Sequence, residues 1–114
     1  MNTKKKYSKY WFEVYKVVSK AQKDVFEIVR KICEEIKKDI GNYLLELQEK
    51  YNFTYVIDPR TGNTDIMKCV PCIYITADDE TFEIVKRSII EKFPELVSDS
   101  RLVFEKRPME IRIE

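Results

Sequence analysis

One apolar stripe runs through the first half of the chain and keeps its phase. With Val25 at zero and 100° per residue, Phe26, Ile28, Val29, Ile32, Cys33, Ile36 and Ile40 fall inside an arc of roughly 160°. Lys23, Arg30, Lys31, Glu34, Lys37 and Lys38 fall largely outside it. Strict alternation, the mark of a strand, is absent. Ser19 with Gln22 three positions on fits a capping box, which starts the helix near residue 20. Gly41-Asn42 is a stop signal, yet Tyr43 and Leu47 return to the same stripe and Gly41 falls on the polar side. The spacing predicts continuation to about Lys50, with a break at Gly41 as the alternative.

Such a helix would be about 46 Å long, whereas a five- or six-residue strand reaches only about 17–20 Å. One end would overhang its own sheet. Tyr43, Leu44, Leu45 and Leu47 lie near that end and form the expected interface with a partner. Cover by this chain's own C-terminal strands is the other reading.

The rest of the chain supplies the expected sheet. Tyr7 to Val18 is rich in aromatic and β-branched residues, which favours a strand. Tyr10, Phe12, Val14 and Val18 would then share one face. A helical reading instead puts Trp11, Val14, Tyr15 and Val18 on one stripe; the capping signal at Ser19 tips the choice to strand. Asn52 to Asp58 reads as a second strand, and Asp58-Pro59-Arg60-Thr61-Gly62-Asn63 as a turn. Ile66 to Thr76 resumes extended character, with Pro71 demoting its start to an edge or bulge. Thr76 or Asp78 can cap a second helix, and the acids that follow suit a helix N-terminus. Phe82, Val85, Ile89 and Phe93 form its buried stripe, and Pro94 stops it. Arg101 to Glu105 and Met109 to Ile113 read as two short strands, or as one kinked at Pro108.

The element order predicts an α+β fold of the ferredoxin-like, split βαβ kind. An antiparallel sheet would be covered on one face by two helices, the first unusually long. Residues 1–6 would be a disordered basic arm and residues 7–114 a single domain, as expected for 114 residues. No segment is long and apolar enough to span a membrane. The basic N-terminus has no apolar signal core, so a cytoplasmic location follows by default.

Several chemistries drop out on composition. The chain has no histidine, which removes histidine-dependent triads and histidine-ligated metals in cis. Two glycines leave no phosphate-cradling loop and no dinucleotide fingerprint. Three cysteines, an odd number, argue against a disulfide framework. Cys69 and Cys72 have redox-pair spacing, but the surroundings read as a strand with a proline rather than a helix start. No cofactor or metal is expected.

Charge is uneven: residues 1–19 carry a net +4, residues 51–100 a net −4, and the whole chain +1. The molecule is polarised rather than globally basic. Three functions fit. The first is a non-enzymatic interaction or adaptor module acting as a homodimer, with another protein as a further candidate partner. The second is single-stranded nucleic-acid binding, with Lys4, Lys5, Lys6 and Lys9 on phosphates and Trp11 and Tyr15 stacking on bases. The third is a metal-dependent nuclease, for which Asp58, Asp65, Asp78 and Asp79 are the available acids. Turns and caps explain those acids equally well, so an enzyme is the least favoured reading.

Overall fold

A computed structural model describes residues 6–17, 22–60 and 69–109, with side-chain surroundings for 6–14, 25–60 and 69–109. In chain order the elements are helices α1 (Ser8–Val17) and α2 (Gln22–Lys50), strands β1 (Thr54–Pro59) and β2 (Pro71–Thr76), helices α3 (Asp79–Lys92) and α4 (Pro94–Ser100), and strand β3 (Val103–Arg107).

The long helix forms as the stripe requires. Val25, Val29, Ile32, Cys33, Ile36, Ile40 and Leu44 are all essentially inaccessible, and the helix runs straight through Gly41 to Lys50. At 1.5 Å per residue its 29 residues span about 44 Å. A Cβ built on Gly41 would meet nothing within 4 Å. The glycine therefore serves no close approach and carries only the usual helix-interior penalty. Gly41→Ala is expected to stabilise the domain by about 0.5–1 kcal/mol in urea titration; a loss of stability would mean that the backbone bends at this point.

The ferredoxin-like expectation does not hold. The sheet has three strands in the order β1-β2-β3, with β1 and β2 antiparallel and β2 and β3 parallel. There are four helices among the described residues, and the long one is the second. The difference starts at the segment read as a strand over residues 7–18, of which Ser8–Val17 form α1 and Val18 lies outside the described residues. Tyr7, Trp11 and Val14 are buried at i, i+4 and i+7, while Phe12 on the other side is 67% exposed. Strand propensity is a weak preference that packing overrides, and here a helical stripe finds a groove on α2. The end of the chain completes the start of this helix: Asp99 of α4 accepts from the Tyr7 N–H at 2.8 Å and the Ser8 hydroxyl at 2.6 Å. That contact is invisible to local pattern.

The sheet topology follows. In a split βαβ fold the first strand lies between the hairpin and the strand that returns after the second helix. With that strand helical, the slot closes and β3 pairs directly with β2. A strand reached through a helical crossover runs parallel to the one it left.

The helix before Pro94 ends at Lys92, as read, and Pro94 opens a further helix, α4, as its first residue, where its missing N–H costs nothing. One smaller expectation shifts. The C-terminal strand is displaced to Val103–Arg107, Met109 is not in a strand, and residues 110–114 lie outside the described residues. The cap at Asp78 forms as read, its carboxylate accepting from the Thr81 N–H at 2.7 Å.

The helices lie on one face of the sheet. Ile57 of β1 and Ile73 and Ile75 of β2 are fully buried in one cluster with the α2 stripe and with Phe82, Val85 and Ile89 of α3. Phe93, at the end of α3, stacks edge-on against Tyr43 of α2 at 5.6 Å. The resulting slab measures 48 × 40 × 17 Å, and its radius of gyration is 15.2 Å, against roughly 13 Å for a spherical domain of this length.

Candidate functional site

Strand alternation turns every second residue away from the helices. On that second face the register aligns Thr54, Thr76 and Arg107 in one row, Val56, Tyr74 and Glu105 in the next, and Asp58, Cys72 and Val103 in the third. Among the described residues no element packs on these rows: Val56 is 44% exposed, Thr54, Asp58 and Arg107 are exposed, and Tyr74, Val103 and Glu105 are half-buried. The Arg107 guanidinium lies 4.2 Å from the centre of the Tyr74 ring, a cation–π geometry that pins both side chains flat to the sheet.

Cys72 departs from its row, because it is fully buried on a face that is otherwise open. The reason lies in an ion pair. Arg60, one residue past β1, reaches Glu105 on the far strand at 2.7 Å. A bridge between the two outer strands has to cross β2, and the residue beneath it is Cys72. Burial pushes the Cys72 thiol up to about 11, Glu105 adding to the rise and Tyr74, Arg60 and Arg107 opposing it. Cys33, in the core, is pushed up to about 12, again chiefly by burial. Both thiols are therefore protonated near neutrality and not poised as nucleophiles. No group of three metal-ligating side chains exists among the described residues.

The sheet's two edges are poor templates for strand addition. Pro59 closes one end of β1, and β3 ends in Lys106-Arg107-Pro108. Proline and clustered positive charge are common ways of blunting an edge. The face, not the edge, is what the sheet offers.

The residues picked out from sequence are scattered over this framework. Of the interface set, Leu44 and Leu47 are buried by this chain itself, Tyr43 is half-buried against Phe93, and Leu45 is 60% exposed. Leu45 stands among Gly41, Asn42, Gln48 and Glu49 on its helix surface, a single apolar residue of a kind common on protein surfaces. Of the nucleic-acid set, Lys6 is held by Asp39 at 2.9 Å and Glu35 at 3.3 Å, so it belongs to the folded domain rather than to an arm. Lys9 sits over the Tyr10 ring, and Trp11 is 5% exposed in the core. Lys4, Lys5 and the Tyr15 side chain lie outside the described residues.

The acids do not meet. Asp58 pairs with Cys72 at the start of β2, whereas Asp78 lies six residues on, beyond its other end. At about 3.3 Å per residue the two are roughly 20 Å apart along the strand. Asp79 is drawn to Lys106 at 3.0 Å, and Asp65 lies outside the described residues. The open-face residues Glu105 and Arg107 were missed from sequence. The only signal for them was strand alternation, and it pointed the right way only once the partner strands were known.

A cleft of about 610 Å³ opens elsewhere, between Lys6 and Tyr7, Asp39 of α2, and the α3–α4 joint from Lys92 to Leu96. Its polar groups are already engaged. The Tyr7 hydroxyl donates to Asp39 at 2.6 Å, and burial and that carboxylate raise its pKa far above the usual range. The Lys92 ammonium lies over Tyr43 at 5.7 Å. The arrangement staples the N-terminus to α2. No protein-family model, curated protein or solved structure matches this chain, so its function is read from its own residues.

Proposed function

We propose that the domain is a non-catalytic interaction module that works as a homodimer, two copies meeting through the open faces of their sheets. The observation that carries this reading is the helix-free face with Tyr74 at its centre, pinned by Arg107 and flanked by Val56. Tyrosine, arginine and apolar side chains are enriched at interface centres.

The charges on this face are self-complementary. Asp58 and Arg107 occupy diagonally opposite corners, with Tyr74 midway between them. A two-fold axis lying in the interface along the other diagonal places each copy's Arg107 over the other's Asp58 and Tyr74 over Tyr74. The strands of the two sheets then cross steeply, as in orthogonal sheet packing. Three strands about 4.8 Å apart and six residues long make a face of roughly 300 Å². That is well below the size of permanent interfaces, so the dimer exchanges readily.

Nucleic-acid binding is less well supported, since Trp11 is core and Lys6 and Lys9 have intramolecular partners. A nuclease lacks converging acids among the described residues.

Sedimentation equilibrium tests the dimer. At ~100 µM protein any association tighter than about −5.5 kcal/mol is populated. Val56→Asp should weaken association at least tenfold. Asp58→Arg and Arg107→Asp should each do the same, and the double exchange should restore the dimer. A monomer at every concentration, or a dimer indifferent to all four variants, would sink the proposal.

A further inference from the structure

The chain has three thiols, and their spacing in sequence couples Cys69 to Cys72. The strand separates these two. The β1–β2 ladder continues one pair beyond Pro59 and Pro71, with the Arg60 N–H donating to the Val70 carbonyl at 2.8 Å. Residues three apart on an extended run point to opposite faces. Cys72 is turned to the open face, beneath the Arg60–Glu105 bridge. Cys69 therefore falls on the helix side of the sheet, in line with Pro71, Ile73 and Ile75, all of them buried. It packs half-buried at the border of the core.

The thiol on that side is Cys33, a member of the buried stripe of α2 and 1% exposed. Its level is set by the turn between α2 and β1, where the Gln48 amide donates to the Phe53 carbonyl at 3.3 Å. From Phe53 to Arg60 the chain travels about 23 Å back along α2, the length of about 15 helix residues, which brings the Arg60–Val70 pair level with Cys33. Cys69 is the next residue along. The electrostatics agree: Cys33 senses the Cys69 thiol, but of Cys72 only the backbone.

We propose that Cys33 and Cys69 form a reversible disulfide, closed by a small organic disulfide such as glutathione disulfide, which ties the start of β2 to α2. The half-exposed Cys69, as its thiolate, attacks one sulfur of the oxidant. That S–S bond breaks, one glutathione leaves, and a mixed disulfide remains on Cys69. Cys33 then loses its proton and attacks the Cys69 sulfur, and the second glutathione leaves. Two protein thiols are oxidised to one disulfide, one glutathione disulfide is reduced to two thiols, and the two protons end on glutathione. Burial raises the pKa of both cysteines, so closure is slow near neutrality and quickens as the pH rises.

The intact protein is incubated at mildly alkaline pH with glutathione disulfide, quenched with iodoacetamide and cleaved with trypsin. Cleavage after lysine leaves Cys33 on residues 32–37 and Cys69 together with Cys72 on residues 69–86. The expected product is a pair of these two peptides joined through Cys69, with the alkyl group on Cys72, from a chain that runs as a monomer in non-reducing electrophoresis. Cys72→Ser should form the link as the parent does, and Cys69→Ser at least tenfold less of any link to Cys33. No link in the folded protein, whether Cys69 stays free or only carries glutathione, would overturn the proposal. So would a link through Cys72, a link between two chains, or a yield no greater than in denaturing urea.

Discussion

Leu44→Ala is expected to destabilise the domain by about 2–5 kcal/mol, and Leu45→Ala by less than about 0.5 kcal/mol. The two residues are neighbours on one helix and identical in chemistry. Leu44 is fully buried beyond Gly41, where the stripe continues into the core, and Leu45 is 60% exposed between polar neighbours. Truncating Leu44 removes transfer free energy and leaves a void beside Ile40 and the sheet; truncating Leu45 removes atoms that already touch water. Urea titrations of both variants give the comparison. Similar midpoints would mean that the second half of α2 does not pack as described. Because Leu45 is solitary, its removal should also leave the monomer–dimer equilibrium unchanged.

The second large effect is on pH. Cys33 has its thiol pushed from an ordinary 9.0 to about 12 and Cys72 to about 11, both chiefly by burial. The folded state therefore holds these protons more tightly than the unfolded chain does. The stability they confer is complete below about pH 9 and is lost as the pH rises through 11 towards 12. Three units at Cys33 correspond to a loss of about 4 kcal/mol at the top of that range. Unfolding free energies of the parent and of Cys33→Ala, measured between pH 7 and 11.5, isolate the contribution. The parent should lose stability more steeply above pH 9, so that the gap between the two curves narrows. Parallel curves would contradict the burial of this thiol.

Legibility in the sequence followed how local each determinant is. The phase of α2 survived a glycine because Tyr43 and Leu47 kept to one side, and phase is a property of the segment itself. The Asp78 cap was readable for the same reason: donor and acceptor are three residues apart. Residues 7–18 were misread because Trp11, Phe12, Val14 and Tyr15 have strand-like composition. What makes them helical is distant: a groove on α2 and the carboxylate of Asp99. The sheet topology went wrong from that single error, since removing one strand changes which strands are neighbours. The open-face set could not be assembled from sequence either. Tyr74 and Arg107 are 33 positions apart, and β2–β3 register alone brings them onto adjacent rows of one face. The stacking of Arg101 on Trp11 was hidden in the same way, because no sequence pattern announces a left-handed arginine above a tryptophan from another helix.

The contact between Asp99 and the start of α1 has a consequence for how the chain is made. The carboxylate that completes the first helix is 92 positions downstream of Tyr7. At about 5–20 residues per second, a ribosome needs roughly 5–20 s to deliver it after the aromatic segment has been synthesised. For that interval the start of α1 has no capping acid. The cap of the first helix is therefore among the last contacts the chain can make, although that helix is the first to be translated.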